Sequence, residues 1–306
     1  MDSSTHQPPR IARANGIDIC YEIFGDAGAE PMLLIMGLGA QMILWDDEFC
    51  RELAGRGFRV IRFDNRDIGK SSHLSGGKRL TALELLKLRF LKVPVQAPYR
   101  LRDMAEDTTG LMDALGIRSA HLVGASMGGM IAQEIAISFP QRVRSLTSIM
   151  STTGNPKVPP PTREAAAMLM APPPTTREEY LKRFAQTWKV LRVGSFPLDE
   201  AKDRERAERT FERGLNPNGV GRQLRAILAS GSRKERLHHV KTPTLVIHGT
   251  VDPLVRPEGG KDTAASIPGA KLLMIDGMGH AIPIPMWPQI IGAIDEHAHG
   301  AVAKAA

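Results

Sequence analysis

Short apolar runs alternate along the chain with longer stretches in which apolar residues return every three or four positions. Pro31 to Met36 is apolar throughout, the pattern of a strand buried on both faces. Phe58 to Phe63, Ala120 to Gly124, Val143 to Met150, Thr244 to His248 and Lys271 to Ile275 read as further strands. Helical spacing predicts helices over Glu48 to Ala54, Leu101 to Leu115, Met127 to Phe139, about Gly259 to Ser266 and about Pro288 to His297. Arg10 to Ala14 and Ile17 to Phe24 flank Asn15-Gly16, a strong hairpin signal. Strands alternating with helices predict an α/β fold with a mostly parallel, doubly wound sheet.

That alternation is interrupted once. After Met150 come prolines at 159 to 161 and 172 to 174, then helical stretches rich in Arg, Glu and Ala that run to about Arg236. We expect a core of residues 1–150 and 237–306 and an inserted helical cap over 151–236. Within the cap, Met168, Met170, Leu181, Phe184 and Trp188 offer apolar surface, and Met168 and Trp188 are the residues expected to line a substrate pocket. Leu80 to Lys92 is amphipathic and basic. It reads as a helix over a site entrance, with a helix lying on a membrane surface as the alternative.

Composition narrows the class. At 306 residues, 42% hydrophobic and 24% charged, the chain has ordinary globular values and enough length for a large core. Cys20 and Cys50 fit neither a disulfide framework nor a metal-ligand spacing and read as inert core thiols. The polar first ten residues lack an apolar leader segment and no run reaches membrane-spanning length, so a soluble cytoplasmic protein is expected. The net charge of +7 is concentrated: Arg177 to Lys241 holds 16 Lys and Arg against 9 Asp and Glu, and the remainder balances. Without aromatic interleaving or a nucleic-acid motif, that segment reads as solvated helix faces, with a positive rim attracting anions as the alternative; no nucleic-acid partner is expected.

The chemistry centres on Gly124-Ala125-Ser126-Met127-Gly128. A strand precedes this serine and a helix follows it, the context a nucleophile elbow requires. At the apex of a strained turn the Ser126 hydroxyl would project above the sheet, and Gly124 and Gly128 would allow strand and helix to approach closely.

A nucleophilic serine needs a base, and the base needs an orienting carboxylate. His280, in Asp276-Gly277-Met278-Gly279-His280, follows the last strand; Asp252, in His248-Gly249-Thr250-Val251-Asp252-Pro253, follows the one before. All three candidates fall just past strand carboxyl ends, where open α/β sheets place their ligands. Asp276 is the fallback acid, and His248 reads as a satisfied core histidine. The oxyanion hole should consist of the Met127 N–H, at a helix N-terminus, and a second N–H after the third strand, from Leu38 or its neighbour Gly37.

With these residues in place the chain resembles the α/β-hydrolase superfamily over nearly its full length outside the cap. It is most similar there to bacterial esterases of the aclacinomycin methylesterase type. The resemblance rests on Met36-Gly37, Trp45-Asp46-Asp47-Glu48-Phe49, the run from Arg62 to Ser71, Gly124 to Gly129, and Gly279-His280-Ala281. Many superfamily members carry His-Gly after the third strand where this chain has Met36-Gly37, so the support of the oxyanion loop is expected to differ. The resemblance implies hydrolysis of carboxylic esters through Ser126, His280 and Asp252, no cofactor, no metal, and a cap that selects a small-molecule ester; a homodimer is compatible with it. The same triad could serve lactones, amides, C–C bonds or perhydrolysis. Dehalogenases of this fold place Asp where Ser126 stands, and a non-catalytic receptor is the rival of a different class.

Overall fold

The structure is a computed structural model describing residues 6–76, 80–81, 84, 86, 90–91, 93–194, 196–197 and 199–303. Strands β1 (His6–Ala14) and β2 (Ile17–Phe24) form the expected hairpin. Its turn residues Asn15 and Gly16 both have positive φ, 47° and 77°, as a type I′ turn requires. β1 starts earlier than the Arg10 expected, and its register shifts between Gln7 and Arg10, where Pro8 and Pro9 have no N–H to give the ladder. The other strands are β3 (Glu30–Ile35), β4 (Phe58–Phe63), β5 (Ala120–Ala125), β6 (Val143–Ile149), β7 (Thr244–Gly249) and β8 (Lys271–Ile275). They make one sheet in the order β1-β2-β4-β3-β5-β6-β7-β8. β2 runs antiparallel to both neighbours, and β3 to β8 are parallel to one another.

Alternate residues of the central strands supply opposite faces. Leu33, Ile35, Ile61, Phe63, Leu122 and Leu146 pack towards helices α2 (Leu101–Ala114) and α3 (Met127–Ser138). Met32, Leu34, Val60, Val123, Ile149 and Ile247 pack on the other side, against α1 (Asp47–Gly55) and the C-terminal helix (Trp287–Ala303). Each large apolar side chain fully buried in this way contributes roughly 1.5–3 kcal/mol. The C-terminal helix runs past the expected His297 because Ala298 and Ala301 continue its buried stripe. Cys20 and Cys50 are buried and free, and burial pushes their thiols up to about 11 and about 12. No helix among the described residues is long and apolar enough to cross a membrane. The amphipathic stretch 80–92 lies largely outside the described residues.

Between β6 and β7 the chain forms α4 (Arg163–Met170), α5 (Arg177–Arg192), α6 (Glu200–Glu212), α7 (Pro217–Ser230) and the short α8 (Lys234–Leu237). Thr162, Thr176, Asp199 and Asn216 cap the first four with side-chain oxygens that accept backbone N–H groups. The basic excess of this segment divides: Arg177, Lys182, Lys189, Arg204, Arg236 and Lys241 are exposed as expected, whereas three arginines are turned to the core. Arg206 pairs with Asp46, Arg213 with Asp64 and Arg222 with Asp67, and these six side chains are 15% exposed or less. The carboxylates come from the loops after β3 and β4, so these three arginines are counter-charges for the core. After β7 come α9 (Pro257–Ser266), β8 and the C-terminal helix, α10 (Trp287–Ala303).

Candidate active site

β3 lies between β4 and β5, so strand order reverses there and the loops leaving β3 and β5 part to open a crevice. Gly37-Leu38 and Ser126 leave those two strands. Ser126 has φ +55° and ψ −118°, a conformation that costs a non-glycine residue about 1–3 kcal/mol. The surroundings hold it there. Its N–H donates to Ile149 O at 2.9 Å, and its carbonyl accepts the Ser151 hydroxyl at 2.7 Å. A Cβ on Gly124 would lie 2.3 Å from the Gly128 carbonyl oxygen, and one on Gly128 would lie 1.9 Å from Ile35 O. Both glycines are therefore required by the close approach of helix and strands, as the motif predicted.

His280 Nε2 stands 2.9 Å from Ser126 Oγ, and its Nδ1 stands 2.7 Å from Asp252 Oδ2. With the carboxylate accepting at Nδ1, the proton belongs there and Nε2 is free to accept from the serine. Asp252 is fully buried, and its other oxygen accepts the Leu254 and Val255 N–H groups, each at 2.9 Å. The His280 backbone N–H donates to Leu191 O at 2.7 Å, which ties the imidazole loop to the end of α5. The fallback acid lies elsewhere: Asp276 is exposed and accepts the Thr250 hydroxyl at 3.0 Å.

His248 is buried as expected, with Nε2 2.8 Å from Val255 O and 3.5 Å from Asp252 Oδ2. It is only half satisfied, since Nδ1 has no partner among the described residues. Burial holds its imidazole below the ordinary histidine range.

The expected oxyanion donors lie on the two loops that flank the crevice, Leu38 after β3 and Met127 next to Ser126. Met127 is the first residue of α3, where an N–H has no intrahelical partner. Residues 37–40 form a turn in which the Ala40 N–H donates to Gly37 O at 3.3 Å and Gly39 takes φ +69°. With Leu38 at ordinary negative φ, this is the pattern of a type II turn, and it leaves the Leu38 N–H outside the closing hydrogen bond. Neither the Leu38 nor the Met127 N–H has a backbone hydrogen bond among the described residues. Gly37, the alternative donor, packs close to the nucleophile: a Cβ there would lie 3.1 Å from Ser126 Cβ.

Ser126 and His280 open onto a cavity of about 430 Å³. Met168 and Trp188, the two pocket residues chosen from the sequence, line it, as do Met170 and Phe184; Leu181 does not. A second cavity of about 60 Å³ adjoins it, shares Trp188, Met36 and Met150 with it, and reaches Arg192 and Arg206. The sequence reading missed Ser151, Asn65 and Gln223, three buried polar residues that hold the loops around the serine. Ser151 and Gln223 have no local sequence signal, whereas Asn65 lies in the Arg62 to Ser71 run that carries the resemblance.

Fold and site together define the class: an α/β enzyme fold that brings a serine, an imidazole and a carboxylate into series at a strand-order switch. A profile of the alpha/beta hydrolase fold matches residues 30–285, and the chain belongs to that family. It is 30% identical to the rhodomycin D methylesterase DauP of Streptomyces sp. (strain C5), over 96% of this chain and 99% of that one. It is also 30% identical to a 2-hydroxy-6-oxononadienedioate/2-hydroxy-6-oxononatrienedioate hydrolase of Paraburkholderia phymatum, over 83% of this chain and 82% of that one. Among solved structures it resembles the meta-cleavage product hydrolase CumD of Pseudomonas fluorescens IP01, with a TM-score of 0.74 at 21% identity over 95% of this chain and 98% of that one. That last likeness shows the fold. Similarity to a methylesterase over nearly the whole of both chains makes this an esterase-like member of the family.

Proposed function

We propose that the protein is a serine carboxylesterase that works through an acyl-enzyme. The observation that carries the reading is the unbroken series Ser126 Oγ, His280 Nε2, His280 Nδ1, Asp252 Oδ2, with contacts of 2.9 and 2.7 Å, opening onto a cavity. In the first half-reaction Ser126 Oγ attacks the ester carbonyl carbon while its proton passes to His280 Nε2. The carbonyl oxygen becomes an oxyanion held by the Leu38 and Met127 N–H groups, each donor being worth roughly 3–4 kcal/mol in the transition state. Asp252 stabilises the imidazolium, which then protonates the departing alcohol. In the second half-reaction His280 takes a proton from water as it attacks the acyl carbon, and returns it to Ser126 as the acid leaves.

The segment 151–236 acts as a cap in this scheme. Its α4 and α5 carry Met168 and Trp188 over the serine, so this half would choose the acyl or alcohol group. The relative's name identifies it as a methylesterase, and a methyl ester of a bulky, largely apolar acid is accordingly the first substrate to try. Stopped-flow hydrolysis of p-nitrophenyl esters tests the reaction class. An initial burst of p-nitrophenol, absent in Ser126→Ala, is expected; steady hydrolysis that survives Ser126→Ala in folded protein would end the reading.

A further inference from the structure

We infer that Gln223, on α7 of the inserted segment, is a positioning residue for the oxyanion hole, acting with Asn65 to fix the Leu38 N–H. The inference rests on the acyl-transfer reading above. The loop after β3 has little to hold it on its own. Its first part contains Gly37 and Gly39, and the one backbone bond within residues 37–40, from Ala40 N–H to Gly37 O, is long at 3.3 Å. Two side chains from elsewhere pin it on either side of Leu38. Asn65 Nδ2 donates to Met36 O at 2.9 Å, and the Gly39 N–H donates to Gln223 Oε1 at 2.9 Å.

Gln223 has no freedom to drift. It is fully buried, and its Nε2 donates to Arg66 O at 2.9 Å, so both ends of the amide are used. Arg66 is fixed in turn by Asp107, through Nε at 2.5 Å and Nη2 at 2.6 Å. One turn before Gln223, Val220 packs on Gly39, where an added Cβ would lie 3.2 Å from either methyl. Core filling alone would be served by an apolar side chain of the same length. A buried amide with its acceptor on one loop and its donor on another fixes direction as well as volume. What it fixes is the peptide immediately after the Leu38 N–H. The inserted segment therefore serves the chemistry of every ester, beyond selecting among them.

The test is Gln223→Met, which keeps the length and removes both hydrogen bonds. Active sites are counted by fluorophosphonate labelling carried to completion, and kcat is expressed per labelled site with p-nitrophenyl acetate as substrate. Losing a donor outright typically costs 10²–10³ in kcat, so a misaligned one should cost roughly 10- to 100-fold, with KM within about threefold. The inhibition constant of a trifluoromethyl ketone, whose Ser126 adduct places an oxyanion in the hole, should rise by about the same factor. The matching methyl ketone should bind as before. Gln223→Glu, kept protonated by burial, retains an acceptor for the Gly39 N–H and an O–H for Arg66 O, and should lose less than Gln223→Met. A purely structural role would instead lower the labelled fraction and the melting temperature, with kcat per site unchanged. Should Gln223→Met not fold, Asn65→Leu removes the other pin and is read the same way. A kcat per labelled site within twofold of wild type in the folded variant overturns the inference and leaves the esterase reading standing. Wild-type protein that neither labels nor hydrolyses overturns both.

Discussion

The two halves of the inserted segment meet the core in different ways. In α4 only Ala165 is buried, and in α5 only Leu191. Among the described residues two backbone bonds tie this half to the core, Thr162 N–H to Pro253 O and His280 N–H to Leu191 O. The half formed by α6 and α7 is bolted down. Arg206, Arg213 and Arg222 meet Asp46, Asp64 and Asp67, and Gln41 Nε2 donates to the Thr210 and Gly214 carbonyls at 3.0 and 2.8 Å. The residues expected to select substrate, Met168 and Trp188, sit on the first half. The residue we assign to the oxyanion hole, Gln223, sits on the second. Adaptability and fixed geometry are thus assigned to different helices of one insertion.

The largest effect should come from the site that both halves surround. Ser126→Ala and His280→Ala should each lower kcat by on the order of 10⁶, and the double variant should be hardly worse, because the residues act as one unit. Asp252→Asn should cost on the order of 10⁴, leaving the imidazole in the wrong tautomer. Asp276→Asn should leave kcat within a few-fold, since that carboxylate meets Thr250 rather than His280. A large loss in Asp276→Asn beside a small one in Asp252→Asn would reverse the assignment of the acid.

Stability measurements bear on the bolted half. Arg222→Met leaves Asp67, fully buried, without its bidentate partner at 2.7 and 2.9 Å. Breaking a buried pair from one side costs about 3–5 kcal/mol, which urea unfolding would read as a shift of the midpoint. Arg177→Met breaks only the half-exposed pair with Glu208 at 3.4 Å and should cost less than about 1 kcal/mol. That pair joins α5 to α6 within the insertion, so equal losses in the two variants would show that the buried pairs to the core bolt the second half no more firmly than a surface contact does.

The smallest effect should be the change of specificity. Replacing Met168 and Trp188 by Ala should alter the chain-length profile of kcat/KM while acetate ester turnover stays within a few-fold. One methylene of pocket fit is worth only about 1–3 kcal/mol, so the profile should shift by degrees. An unchanged profile would remove these two side chains from the pocket wall.

The parts legible in the sequence are those with local causes. Alternating strands and helices, the Asn15-Gly16 turn and the glycines around Ser126 each follow from neighbours in the chain, and the structure places them within a few residues of expectation. His280 and Asp252 were accessible because topology puts the carboxyl ends of the parallel strands β3 to β8 on one edge. Non-local pairings were not accessible. Gln223 lies 184 residues from Gly39, and nothing in Arg222-Gln223-Leu224 announces an amide aimed at an oxyanion loop. The inward turn of Arg206, Arg213 and Arg222 was hidden for the same reason, because Asp46, Asp64 and Asp67 balance them only in three dimensions.

The central claim is that Ser126 is the nucleophile, and mapping a fluorophosphonate adduct by mass spectrometry of proteolytic peptides tests it most directly. We expect stoichiometric label on the peptide bearing Ser126, and none on that peptide when His280→Ala is treated for the same time. An unlabelled Ser126 in folded, wild-type protein, or label on another serine instead, would contradict the account.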